Sequence, residues 1–309
     1  MKYSQCIITE PEPSCNELQG IETAPEYGDG PGLKVTHLLT VNENIVPDFF
    51  SVDCSWLWRG ASDKPTGKAH KHGYDEVIGF IGSNRQDPYN LGGEIHIWLA
   101  GKEEVLDRTC LIFIPAGTEH FPVIFKQIDA PVFFVSIAPL NKKSAQARTG
   151  QQRETNAAES TPAYTIIKEL KKDFSVAASG GKNLPPPPRN PNLKSTRILH
   201  LEEDIVKGAF YVDFVWIYEG VGQAPAPEHS HEWEELIAMV GSDPSHPHDL
   251  GGPMSIVLGD EDHVVNKSCL VCIPKGLKHC PWKFLDIKKP TLVFTAGPSG
   301  IYTGTHKKE

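Results

Sequence analysis

HKHGYDEVIGFIG (His70–Gly82) and HSHEWEELIAMVG (His229–Gly241) carry one pattern: His-x-His-x-x-x-Glu running into an apolar stretch. A further histidine follows each, in PAGTEH (Pro115–His120) and PKGLKH (Pro274–His279). The first set is therefore His70, His72, Glu76 and His120, and the second His229, His231, Glu235 and His279; each second member lies 159 residues after its counterpart. Three imidazoles and a carboxylate form a ligand set for a divalent first-row transition ion. Four protein ligands leave open positions on an octahedral ion, whereas a structural zinc closes its tetrahedron, usually with cysteines. On a β-strand, residues of equal parity share a face. The spacing thus predicts that His70, His72 and Glu76 project from one strand into one barrel, with His120 reaching in from another.

The similarity extends outward from the ligands. IGSNRQDPYNLGG (Ile81–Gly93) answers VGSDPSHPHDLGG (Val240–Gly252), and CLIFIP (Cys110–Pro115) answers CLVCIP (Cys269–Pro274). Repetition at a long fixed period marks duplicated structural units. Within each unit, short apolar runs bounded by Gly, Pro, Asn and Asp read as strands, and no long helical periodicity interrupts them. The expected class is all-β, a sandwich or closed barrel in each half. The boundaries read as an N-terminal arm at 1–32, a first domain at 33–140, a linker at 141–191 ending in LPPPPRNP, and a second domain at 192–309. TIIKELKK within the linker fits a short helix or a strand.

Composition narrows the function classes. The 309 residues carry a formal charge of −9, with 39 acidic against 30 basic side chains. With no basic block, a nucleic-acid partner is not expected. No apolar run is long enough to span a bilayer, and MKYSQCIITEPEPSC lacks the apolar core of a signal peptide. The expectation is a cytoplasmic protein with no membrane partner and a small-molecule substrate. Seven cysteines, several in apolar strand-like runs, read as reduced, packed thiols, Cys269 and Cys272 of SCLVCIP included.

The paired motifs HKHGYDEVIGFIG with PAGTEH, and HSHEWEELIAMVG with PKGLKH, resemble the two motifs of the cupin superfamily in its two-domain, bicupin form. The resemblance covers both repeats, about two-thirds of the chain. It departs from the usual pattern where Lys64 and Gln223 stand in place of a glycine, and where Ile124 and Lys283 stand in place of an asparagine. The resemblance implies two tandem jelly-roll-like cupin β-barrels from an internal duplication, with one metal (Fe, Mn, Ni, Cu, Co or Zn) in each. It also carries an expectation of a homodimer or larger homo-oligomer. The activities it implies are metal-dependent reactions on a small enolic, catecholic or carboxylate metabolite. A ring-cleaving dioxygenase comes first, and a non-redox hydrolase, decarboxylase or isomerase is the alternative. A storage or binding cupin without catalysis is a third reading, and ligands retained in both halves weigh against it.

Residues outside the shared set give weaker signals. His96 and Glu94 share parity on EIHIW, so His96 is a candidate general base pointing into the first barrel. Their counterparts are Ser255 and Pro253, which makes any such role private to the first repeat. Asp53 and Asp213 recur in both repeats, as orienting partners of a ligand histidine or as strand ends. His246 and His248 flank a proline and read as solvated loop residues.

Overall fold

The computed structural model describes residues 1–11, 32–140, 163–170 and 191–300, together with the backbone of 305–306. Its elements are almost all strands, and the one helical element among the described residues is a 3-10 turn at Ser4–Cys6. The strands are β1 (Ile7–Ile8), β2 (Lys34–Val41), β3 (Phe50–Thr66), β4 (Glu76–Gly82), β5 (Asn90–Leu99), β6 (Lys102–Arg108), β7 (Cys110–Ile114), β8 (His120–Ile128), β9 (Val132–Pro139) and β10 (Thr165–Ile167). They continue as β11 (Leu193–Leu201), β12 (Tyr211–Gln223), β13 (His229–Ser230), β14 (Glu235–Gly241), β15 (Asp249–Leu258), β16 (Glu261–Lys267), β17 (Cys269–Ile273), β18 (His279–Ile287), β19 (Thr291–Gly297) and β20 (Thr305–His306).

The strands form two sheets of one topology. The first runs β10-β7-β4-β9-β3-β8-β5-β6, with β2 beside β3. The second runs β1-β17-β14-β19-β12-β18-β13-β20, with β11 beside β12, and β15 joining β16 to β18. Each curls around its own core. In the first, alternate residues of β4 (Ile78, Phe80), β5 (Ile95, Ile97) and β7 (Ile112, Ile114) meet in the interior. In the second, Ile237 and Met239 meet Val271, Ile273 and Ile256. Each buried side chain of this size contributes about 1.5–3 kcal/mol. The strand centres β4 and β14 are buried on both faces, which explains their unbroken apolar runs.

The duplication reaches further than the arm and linker boundaries suggest. β1 pairs antiparallel with β17, setting Ile7 opposite Val271. β10 pairs with β7, setting Ile166 opposite Ile112. Both Ile7 to Ile166 and Ile112 to Val271 are again 159 residues apart. Each short strand therefore precedes one repeat and completes the sheet of the other. Accordingly, one compact unit holds Met1–Glu10 with the second repeat, and the other holds the first repeat with Thr165–Ile167. Of the two readings of TIIKELKK, a strand forms at its start.

Candidate metal centres

The ligand side chains of each set approach one another by a route that strand parity alone does not describe. His70 is not on a long strand. It forms an isolated bridge with His120, each backbone N–H donating to the other's carbonyl at 3.0 Å. In the second repeat His229 lies opposite His279 in the same way, within the two-residue β13. His72 and His231 sit in the loop that follows, and Glu76 and Glu235 open β4 and β14. The expectation of three ligands on one continuous strand is thus corrected. The chain bends between the second histidine and the carboxylate, and the side chains still meet because both ends of the loop are pinned.

The Pro-x-Gly turn supplies one of those pins. Gly117 N–H donates to the His72 carbonyl and Gly276 N–H to the His231 carbonyl, each at 2.8 Å. Both glycines have positive φ, 83° and 79°, which a residue with a Cβ rarely adopts. The turn that starts the last ligand strand therefore also fixes the loop bearing the second ligand.

Backbone carbonyls set the ring orientation. The Nδ1–H groups of His70, His120, His229 and His279 donate to the carbonyls of Lys68, Thr118, Pro227 and Leu277, at 2.7–3.0 Å. Each acceptor lies two residues before its histidine. His72 Nδ1 donates to the Tyr74 carbonyl at 3.0 Å. With Nδ1 protonated, Nε2 presents its lone pair to the centre, the usual arrangement of a ligating histidine. The second histidine is backed by an aromatic ring in both repeats. Tyr74 stacks on His72 and Trp233 on His231, each with ring centroids 3.9 Å apart.

The donor atoms fit a cation. His72 Nε2 and His120 Nε2 lie 3.0 and 3.1 Å from Glu76 Oε2. His231 Nε2 and His279 Nε2 lie 3.3 and 2.8 Å from Glu235 Oε2. Ligands about 2.0–2.2 Å from one ion stand roughly this far apart. With the proton on Nδ1, His279 Nε2 faces the buried Glu235 Oε2, and His120 Nε2 faces Glu76 Oε2, as lone pairs. Taking a carboxylate out of water costs several kcal/mol, so lone pairs converging in a buried space are the signature of a cation site. Burial pushes the Glu235 carboxyl upward, and His231 and His279 outweigh it, bringing it down to about 2. Glu76 is lowered in the same way, with His120 and His72 overcoming burial. Burial, with His279 adding to it, lowers His229 to about 4.

The two centres differ in closure. His229, His231, Glu235 and His279 are all buried and form one compact group of potential ligands. In the first repeat the compact group is His70, His72 and His120, with His70 exposed, His72 half-buried and His120 buried. Glu76 touches His72 and His120 through Oε2 without joining that group, its Oε1 accepting a 2.6 Å hydrogen bond from Ser136. In the second repeat β20 pairs with His229 and Ser230. The Trp233 ring also packs where a Cβ on Gly297 would stand.

His96 does not join either centre. Parity leaves the choice of face open, and Ile95, Ile97 and Leu99 take the interior. His96 lies on the other face, its two nitrogens 2.9 Å from Glu94 and 2.7 Å from Glu103. The candidate base inside the barrel is thereby corrected to a surface ion pair. Asp53 and Asp213 partner the preceding strand rather than a ligand histidine: Asp53 lies 3.5 Å from His37, and Asp213 accepts a 2.5 Å bond from Arg197. His246 is a loop residue near Asp243. The six described cysteines are free and buried, and burial pushes the Cys110 and Cys269 thiols up to about 12. Sequence reasoning missed Ser136, Tyr74 and Trp233. Their signal was available, since Ser136 with Thr295, and Tyr74 with Trp233, recur at the ligand offset.

No protein-family model matches the chain, and no curated protein matches it. Solved structures do. Two variants of oxalate decarboxylase from Bacillus subtilis align over 96% of this chain and 80% of their own, at 12% identity and a TM-score of 0.50. AerE from Microcystis aeruginosa aligns over 86% of this chain and 97% of its own, at 13% identity and a TM-score of 0.44. At such identities the decarboxylase likeness speaks for the fold, and the fold is a pair of tandem cupin barrels. No helix among the described residues is long and apolar enough to cross a membrane.

Proposed function

We propose that this chain is a metal-dependent bicupin enzyme acting on a small oxygenated metabolite that chelates through adjacent oxygens. The observation that carries the reading is the convergence of ligand atoms in each barrel: His72 and His120 Nε2 at 3.0 and 3.1 Å from Glu76 Oε2 in the first, His231 and His279 Nε2 at 3.3 and 2.8 Å from Glu235 Oε2 in the second. His70, His72, Glu76 and His120 would hold one divalent ion, and His229, His231, Glu235 and His279 the other. A bound ion supplies Lewis-acid activation of a chelating substrate and, if redox-active, electron transfer. The chain's own work is to hold each Nε2 toward the centre and to exclude water from the carboxylate side. Substrate enters at the first centre, where His70 is exposed, since the four ligands of the second centre are all buried.

Oxygen-dependent cleavage of an enolic or catecholic compound is the first reading of the reaction, resting on the bicupin resemblance. Decarboxylation of a small carboxylate is the second, supported by the fold shared with oxalate decarboxylase. The test is metal analysis of the purified protein, followed by parallel assays of oxygen uptake with catechols and enols and of carbon dioxide release from small dicarboxylates. Turnover that disappears in His72→Ala supports the reading. A protein that retains no first-row ion, or full turnover in both His72→Ala and His231→Ala, would overturn it.

A further inference from the structure

The two carboxylate ligands differ in what stands behind them. In the first barrel Ser136, buried on β9, donates its hydroxyl to Glu76 Oε1 at 2.6 Å. Register fixes Ser136 there, opposite Asp53 on one side and Ile78 on the other. In the second barrel the equivalent residue is Thr295. Its Oγ1 lies 3.0 Å from the hydroxyl of Tyr211, and Tyr211 occupies the register position that Ser51 holds in the first barrel. The ligand groups differ correspondingly: Glu235 joins its three histidines in one compact set, and Glu76 does not.

We propose that Ser136 is a positioning residue of the first centre, tethering Glu76 Oε1 so that Oε2 alone is presented to the ion. The inference rests on the metal-binding reading above. A carboxylate has two oxygens and can bind an ion through one or both. Oε2 already faces His72 and His120 at 3.0 and 3.1 Å, and a buried Oε1 that accepts a hydroxyl proton is held away from the ion. The consequence is a first centre of three imidazoles and one oxygen, which keeps positions open for substrate. In the second barrel the hydroxyl at this position is engaged by Tyr211. The difference between the centres is thereby assigned to a hydroxyl at one repeat position and to what that hydroxyl contacts.

The test uses the full chain loaded with Co(II), whose visible absorption reports its coordination. His72→Ala and His231→Ala assign the absorption of each centre. Ser136→Ala is expected to weaken Co(II) binding at the first centre by about 10–100-fold and to change its absorption, leaving the second centre unaltered. Ser136→Thr restores both, and Thr295→Ala leaves the first centre unaltered. Unchanged affinity and absorption of the first centre in Ser136→Ala would overturn the proposal. Should that variant fail to fold, Ser136→Cys serves: an intermediate affinity supports the tether, and wild-type affinity overturns it. Failure of the metal reading looks different, since the unsubstituted chain would then bind no Co(II), or His72→Ala and His231→Ala would bind as much as it does.

Discussion

The first and second centres hold the same four residue types at the same spacing, yet one opens to solvent and the other is sealed. His70 is exposed and His72 half-buried, whereas His229 and His231 are each only 3% exposed. The ligands do not account for the difference; their surroundings do. Trp233 covers His231, where the smaller Tyr74, itself 36% exposed, covers His72. Tyr211 fills the place of Ser51. Duplication copied a ligand set, and divergence of its neighbours produced one accessible centre and one enclosed centre.

The largest effect expected is on metal content. His72→Ala and His231→Ala should each remove one ion per chain in elemental analysis of the purified protein; a single variant that loses both ions would show that the centres are not independent. Next comes the rate of exchange. On treatment with a chelator the first centre should empty well before the second, seen as two phases of release. A single phase that His231→Ala leaves intact would break the contrast between open and closed centres.

Acid sharpens the comparison further. The folded His229 has its pKa depressed from 6.5 to about 4, so the metal-free unfolded chain binds a proton that the folded chain does not. His229 therefore stabilises the metal-free fold above the unfolded value of about 6.5, and that contribution is lost as pH falls through the window down to about 4. The shift corresponds to roughly 3 kcal/mol, with the raised His279 acting in the opposite direction. Urea unfolding of the metal-free protein and of its His229→Gln variant at a series of pH values isolates this share, and profiles of equal slope from pH 7 to 4.5 would contradict it. The smallest effect belongs to the stacked rings. Trp233→Ala should speed release of the second ion more than Tyr74→Ala speeds release of the first, since a stacked pair is worth about 0.5–1.5 kcal/mol and the exposed pair less. Equal effects would mean that the ring does not contribute to closure.

Much of the fold was legible because its signals are local. Apolar runs such as EVIGFIG, and turn residues such as those of PAG and PKG, report strands and their ends directly. The ligand sets were legible because identical residues at one offset are improbable by accident. Other features were less so. The strand pairings of Ile7–Ile8 and Thr165–Ile167 depend on partners more than fifty residues away, and two-residue and three-residue strands carry no periodicity of their own. Parity placed His96 on a face without saying which, and packing of Ile95 and Ile97 decided it. The bend between His72 and Glu76 was hidden for a similar reason: equal parity describes a strand only if the chain is a strand throughout.

By itself the sequence determined that this protein is a duplicated all-β chain with two sets of three histidines and one glutamate. Those facts follow from residue identity, spacing and repetition. Only the tertiary structure decided which set is open, that Ser136 contacts the first carboxylate, and that each short leading strand completes the sheet of the other repeat. Exposure, hydrogen bonding and register are relations between segments distant in the chain. They exist only once the barrels have closed and each side chain has met its neighbours.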